Sequence, residues 1–215
     1  MLRDVIESTD EFFIRQQKEW TEIIVDFETK NQYEILDAEG SAVGTVTEVS
    51  SGFGGFLKRN FFGSHRSLDI RVHEGDGTAV LRLARAFFFL FSSLDVMEEG
   101  GAKLGRVDRR FGVLYKKYDL FDAHGRCFAK VRGARWRLWT FPIRHENGVS
   151  EATVSKKWGG ALREVFADAD TFRVALDSGS WASEERWILL AAAISIDFDF
   201  FENNQGSNGL LSFSD

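Results

Sequence analysis

The segment Trp187–Phe201, near the C-terminus, constrains the fold most strongly because it shows no polar face. It reads WILLAAAISIDFDFF, and nearly everything before it consists of short β-rich runs. A helix that is apolar all round must be buried in protein or in a membrane. Its uninterrupted part, Ile188–Ile196, is shorter than the roughly 20 residues that cross a bilayer, and Asp197 and Asp199 follow at once. We therefore predict a mainly β fold, a closed antiparallel barrel that encloses a hydrophobic C-terminal α-helix.

Five segments share a second pattern, in which a glycine-containing polar turn separates two β-rich runs. Examples are LDIRVHEGDGTAVLRL and YDLFDAHGRCFAKV. Tight hairpin turns require positive φ, which glycine adopts without steric cost. Repeated, evenly spaced hairpins are typical of a meander that closes into a barrel, and TFRVAL is predicted as its last strand. The turn glycines are Gly40, Gly77, Gly101, Gly125 and Gly148. Ser183 is the expected N-cap of the apolar helix.

The charge of the chain is unevenly distributed. The formal net charge is −6, yet residues 103–163 contain 15 Lys and Arg against 5 Asp and Glu. A basic segment of this kind can attract an anionic surface even though the whole chain has a net negative charge. The alternative is that these Lys and Arg side chains only keep strand edges and outward faces solvated. The single cysteine, Cys127, and an acidic N-terminus without a signal-peptide pattern predict a cytoplasmic protein.

Four runs carry a resemblance to a known family. They are FETKNQYEI (Phe27–Ile35), GRVDRRF (Gly105–Phe111), SKKWGGALREVFADADTF (Ser155–Phe172) and IDFDFFE (Ile196–Glu202). These runs resemble the phospholipid scramblase family, whose fold is similar to that of tubby, a twelve-stranded barrel around a central C-terminal helix. With the hairpins, the resemblance covers most of the chain. We expect an N-terminal segment over residues 1–19, a single barrel domain over 20–202 and a mobile tail over 203–215.

The resemblance implies binding to anionic phospholipids and calcium-activated, ATP-independent movement of phospholipids between leaflets. Contacts with DNA or protein partners are also implied. The family's proposed calcium loop falls on Asp168, Asp170, Phe172, Val174, Leu176 and Gly179. Calcium takes six to eight oxygen ligands, and only Asp168 and Asp170 are carboxylates at these positions. They form either part of a calcium site or a pair that caps and ends a helix in solvent.

Five cations within twelve positions are the predicted lipid-binding residues. They are Arg106, Arg109, Arg110, Lys116 and Lys117. Hairpin geometry can bring the two runs side by side, because neighbouring strands lie about 5 Å apart. Two functions remain open for this patch. The first is a scramblase-like protein that binds anionic phospholipids at a membrane surface, with a role in their translocation. The second is a soluble module that binds protein or nucleic acid, and Trp136 beside the arginines suits either.

The sequence offers no catalytic constellation. The four histidines lie in or beside turns without paired spacing, so we expect surface residues rather than metal ligands. Cys127 is expected to be a small core residue. Asp197 and Asp199, two residues apart, should point to different helix faces and bond backbone or water. We therefore predict a protein that is not an enzyme and takes no small-molecule substrate. The resemblance, together with the basic patch, implies peripheral attachment to a membrane.

Overall fold

The computed structural model describes residues 1–17, 32–49, 67–86, 92–112, 115–134, 139–156 and 171–200. Within these ranges twelve antiparallel strands form a closed barrel, in which every strand pairs with its neighbours along the chain and the first strand also pairs with the last. The described elements are α1 (Leu2–Ser8), β1 (Glu11–Gln17), β2 (Gln32–Leu36), β3 (Ala42–Glu48), β4 (Leu68–Glu74), β5 (Ala79–Arg85), β6 (Ser92–Glu98), β7 (Lys103–Arg110), β8 (Tyr115–Asp122), β9 (Cys127–Ala134), β10 (Thr140–His145), β11 (Glu151–Ser155), β12 (Thr171–Ser178) and α2 (Ser183–Phe200).

Five tight turns lie at one end of the barrel, which we call the turn end. Their glycines all have positive φ, between 74° and 89°, so the five predicted hairpins are confirmed. Aspartate side chains close several of these turns. Asp122 Oδ1 accepts hydrogen bonds from the backbone N–H groups of His124 and Arg126, both at 2.9 Å. The opposite end of the barrel, where β7 ends at Arg110 and β8 begins at Tyr115, is called the far end.

The α2 helix lies inside the barrel, as predicted, with its N-terminus at the turn end. Its side chains from Trp187 to Phe198 are buried, and inward residues of the alternating strands pack around it. Gly105 on β7 allows a close approach between the strand and α2. A Cβ atom there would lie 2.6 Å from Ile188 Cδ1 and would also collide with the Phe121 carbonyl oxygen. The strand and the helix therefore touch where a side chain is missing.

The α1 helix covers the turn end. Leu2 and Ile6 are fully buried, and Leu2 Cδ2 would lie 2.8 Å from a Cβ on Gly44 of β3. Trp187 Nε1 of α2 donates to Glu7 Oε1 at 2.9 Å, so the two helices are joined by a hydrogen bond.

Two boundaries differ from those expected. The barrel includes β1, which lies within residues 1–19 that we assigned to a separate N-terminal segment, because the sheet closes only when β1 lies between β12 and β2. Ser183 is the first helical residue rather than the cap. Glu185 has the capping role, since its Oε2 accepts from the Ala182 N–H at 2.9 Å. The expected tail, 203–215, lies outside the described residues.

Candidate functional site

The five predicted lipid-binding cations do not share one face of the barrel wall. Side chains alternate along a strand, so Arg106, Arg110 and Lys117 point outward, whereas Arg109 and Lys116 point to the interior. The Lys116 ammonium lies 5.1 Å from the ring centroid of Phe141, which is fully buried. The structure therefore brings three of the five together on the outside and places the other two at the inner surface.

An outward residue on β9 completes a line of positive charge. Arg110, Lys117 and Arg132 occupy directly opposite positions on β7, β8 and β9, and we call them the cationic row. Strands lie about 5 Å apart, and like charges directly opposite each other destabilise a sheet. Arg110 and Arg132 keep 43% and 39% of their side chains exposed, so the row faces solvent.

Two carboxylates lie next to the cationic row on its turn-end side. Asp119 Oδ2 accepts from Arg110 Nε at 2.8 Å, and its Oδ1 accepts from Arg132 Nη2 at 2.9 Å. Burial opposes ionisation of Asp119, but the hydrogen bonds from Arg132 and Arg110 prevail and lower its pKa below the ordinary value. Asp108 Oδ1 lies 3.3 Å from Arg106 Nε. Within the described part of the chain Lys117 has no ion pair, so positive charge is left at the centre of the row.

The second polar region is a buried cluster at the far end, where α2 ends. Asp199 Oδ2 accepts from the Tyr118 hydroxyl at 2.8 Å, and its Oδ1 accepts from Arg85 Nη1 at 3.1 Å. The Arg85 and Asp199 side chains are 1% and 0% exposed. Arg109 Nη1 lies 3.6 Å from the same Asp199 oxygen. Burial, followed by the charge of Asp199, raises the pKa of Tyr118 well above its ordinary value.

Asp197 has its own partner on the other side of the helix. Its Oδ2 accepts from the Tyr33 hydroxyl of β2 at 2.6 Å, and the Tyr33 ring lies edge-on to Phe198 at 6.0 Å. The prediction that Asp197 and Asp199 point to different faces is confirmed. The prediction that they bond backbone or water is wrong, because burial removes them from solvent and side chains of four strands reach them. An acidic residue within an apolar run is the signal that could have indicated buried partners.

The proposed calcium positions fall largely on a strand. Phe172, Val174 and Leu176 belong to β12, their side chains are buried, and β12 pairs with β1 on one side and β11 on the other. Asp168 and Asp170 lie outside the described residues. Among the residues that the structure describes, no group of three His, Cys, Asp or Glu side chains could hold a metal ion.

The other residues singled out in the sequence have structural surroundings. His145 is packed rather than on the surface as expected, with Trp181 edge-on at 5.2 Å and Glu185 Oε1 at 3.2 Å from its Nε2. Cys127 is half-buried rather than a core residue, and burial raises the pKa of its thiol. Trp136 lies outside the described residues. None of the described helices has the length and apolar character needed to cross a bilayer.

Comparisons with known proteins place these features in context. A family model described as Scramblase matches residues 2–203. The chain is 27% identical to a phospholipid scramblase family protein of Schizosaccharomyces pombe, over 94% of this chain and 62% of that protein. It is 26% identical to phospholipid scramblase 1 of Mus musculus, over 90% of this chain and 61% of that protein. The chain thus spans about three fifths of the length of these relatives.

Two further similarities concern a yeast protein and a solved structure. The chain is 25% identical to Altered inheritance rate of mitochondria protein 25 of Saccharomyces cerevisiae, over 93% of this chain and 73% of that protein. An X-ray structure of a protein from Arabidopsis thaliana superposes with a TM-score of 0.51 at 15% identity. It covers 88% of this chain and 90% of the other, and it shows a shared fold.

Proposed function

Because the chain belongs to the scramblase family, we propose that it binds anionic phospholipids at a membrane surface and has a scramblase-like role there. The cationic row is the observation that carries the proposal. Three cations on neighbouring strands, which lie about 5 Å apart, concentrate positive charge on one solvent-facing stretch of the barrel wall. Guanidinium groups match phosphate oxygens in a bidentate manner, and an ammonium adds a point charge.

The balance of charge around the row supports this proposal over a merely solvated face. On other described strands, outward cations pair with single carboxylates, as in Arg15 with Glu34 or Arg82 with Asp69. On β7–β9, the cationic row and Arg106 have two carboxylates beside them, Asp108 and Asp119, whereas Lys130 of β9 pairs with Glu146. The excess of positive charge costs stability in the free protein, and an anionic lipid surface would offset that cost.

Vesicle co-sedimentation tests the proposal. We expect the protein to pellet with vesicles of phosphatidylserine in phosphatidylcholine, to stay in solution with pure phosphatidylcholine, and to be released by salt because screening acts over about 10 Å. Each cation near an anionic leaflet contributes on the order of 1 kcal/mol. The triple variant Arg110→Gln, Lys117→Gln, Arg132→Gln should therefore bind up to roughly a hundredfold more weakly.

A matched control removes the same charge at the turn end. Lys103→Gln, Arg126→Gln, Arg144→Gln takes away three cations whose side chains are 46%, 79% and 80% exposed. This control should bind as the wild type does. If both triple variants bind equally well, the row is only a solvated face and the proposal fails. Arg109 and Lys116 are left unchanged, because they face the interior and their replacement would test the fold instead.

We propose further that this binding does not require calcium. Only two carboxylates lie at the positions of the calcium loop, and the other positions carry apolar residues of β12 and, at the last one, Gly179. Co-sedimentation in millimolar calcium and in chelator should therefore give the same bound fraction. A bound fraction that rises with calcium, and that loses this response in Asp168→Ala, would establish the opposite.

A further inference from the structure

Among the described residues, carboxylates are concentrated at the turn end, whereas exposed cations lie at the far end of β7–β9. The five tight turns, each counted together with the strand residue that precedes it, include eight carboxylates and one arginine, Arg126. The carboxylates are Asp37, Glu39, Glu74, Asp76, Glu98, Glu99, Asp122 and Glu146. At the far end, the cationic row occupies the last position of β7, the third of β8 and the sixth of β9. An anionic surface repels the turn end and attracts the far end.

Exposed apolar side chains at the two ends form a natural comparison. Phe111 directly follows β7, next to Arg110, and is 70% exposed. Val149, in the turn between β10 and β11, is 68% exposed but lies between Glu146 and Glu151. Single exposed apolar residues are common on protein surfaces. What distinguishes Phe111 is an aromatic ring beside a row of cations, the combination found in segments that enter the headgroup region of a membrane.

We infer that the protein docks on anionic lipid by the rim of β7 and β8 at its far end, with Phe111 entering the headgroup region beside the cationic row. This inference rests on the proposed function and adds an orientation and an apolar anchor to it. The cations bind headgroups and hold the rim at the surface, while the ring leaves water. The acidic turn end and α1 then face away from the membrane.

Single-cysteine labelling tests the orientation directly, because Cys127 is the one cysteine of the chain. In a Cys127→Ser background, Phe111→Cys and Val149→Cys are each labelled with an environment-sensitive nitrobenzoxadiazole dye and titrated with phosphatidylserine-containing vesicles. We expect the dye at 111 to shift to shorter wavelength and to be quenched by lipids spin-labelled near the headgroup. The dye at 149 should respond to neither. Unlabelled Phe111→Ser should bind roughly tenfold more weakly, and Val149→Ser should bind like the wild type.

The possible outcomes separate this inference from the function on which it rests. If wild type pellets with anionic vesicles but the dye at 149 responds instead of, or as well as, the dye at 111, the orientation is overturned and lipid binding stands. The same holds if wild type pellets and neither dye responds. If wild type does not pellet with anionic vesicles, the proposed function and the orientation both fail. Equal binding of Phe111→Ser and wild type would remove the apolar anchor.

Discussion

The two parts of α2 are equally buried, yet different interactions stabilise them. Ile188–Ile196 packs among apolar side chains, and each buried Å² contributes about 25 cal/mol regardless of which neighbour covers it. Asp197 and Asp199 at the far end depend on particular partners, since Tyr33, Arg85 and Tyr118 must each be present. The apolar part therefore tolerates exchange among apolar residues, whereas the polar part tolerates little change. One buried helix thus combines apolar contacts that many neighbours could provide with hydrogen bonds that require particular partners.

The largest expected effect comes from placing a charge in the apolar part. Ala192 is fully buried, and Ala192→Asp puts a carboxylate there without a partner. The cost is several kcal/mol, comparable with the total stability of a domain of about 5–15 kcal/mol. We expect no folded protein by circular dichroism. The matched control is Ala182→Asp, the same exchange at an exposed position before the helix, which should fold normally. A folded Ala192→Asp would show that this face of the helix reaches water.

A somewhat smaller loss is expected when the polar part loses its carboxylate. Asp199→Ala removes the carboxylate oxygen that lies 3.1 Å from Arg85 Nη1, and the Arg85 side chain is only 1% exposed. Breaking a buried pair in this way costs about 3–5 kcal/mol, to be measured by urea unfolding. The control Asp69→Ala breaks an exposed pair with Arg82 and should cost far less. The double variant Arg85→Met, Asp199→Leu should recover much of the loss. Equal losses for Asp199→Ala and Asp69→Ala would argue against a buried charge.

Much of the barrel could be predicted because its signals are local. Each turn glycine lies within a few residues of the strands that it joins, and the apolar run of α2 is continuous in sequence. Alternation along β7 also predicts that Arg109 shares a face with Val107 rather than with Arg110, so the five predicted lipid-binding cations cannot all lie on one face. Strand β1 alternates less clearly, since Phe12, Phe13 and Ile14 are all buried. Its position in the sheet follows only from the pairing with β12 that closes the barrel.

The partners of the buried acids could not be predicted, because they are brought together by closure alone. Asp199 and Arg85 are 114 residues apart, and Asp197 and Tyr33 are 164 apart. Which residues of twelve strands face the last turn of α2 depends on the register of every hairpin. The cationic row has the same origin, since Arg132 joins Arg110 and Lys117 only through two successive registers. Sequence indicates that such acids need partners, and the closed sheet determines their identity.

A smaller effect is expected from one hydroxyl of the buried cluster. Tyr118→Phe keeps the ring and removes the donor that reaches Asp199 Oδ2 at 2.8 Å. Hydrogen bonds to charged groups contribute about 1.5–3 kcal/mol, and Arg85 remains to face the carboxylate, so we expect a loss near the lower limit at neutral pH. Urea unfolding measures it. No measurable loss would mean that Arg85 and Arg109 satisfy Asp199 without the hydroxyl.

The smallest effect is the dependence of stability on alkaline pH. The raised pKa of Tyr118, caused by burial and then by Asp199, means that the folded protein keeps this proton at a pH where the unfolded chain releases it. The stability that this group contributes is fully present below the unfolded pKa of about 10 and is lost as pH rises toward the folded pKa. Above pH 10 the wild type should therefore lose up to about 1.4 kcal/mol per pH unit more than Tyr118→Phe does. Urea unfolding of both proteins at several pH values between about 9 and 11 isolates this difference, since the other titrating groups are common to both. Parallel curves would show that the Tyr118 hydroxyl is solvated, and the far end of α2 would then be less enclosed than its apolar part.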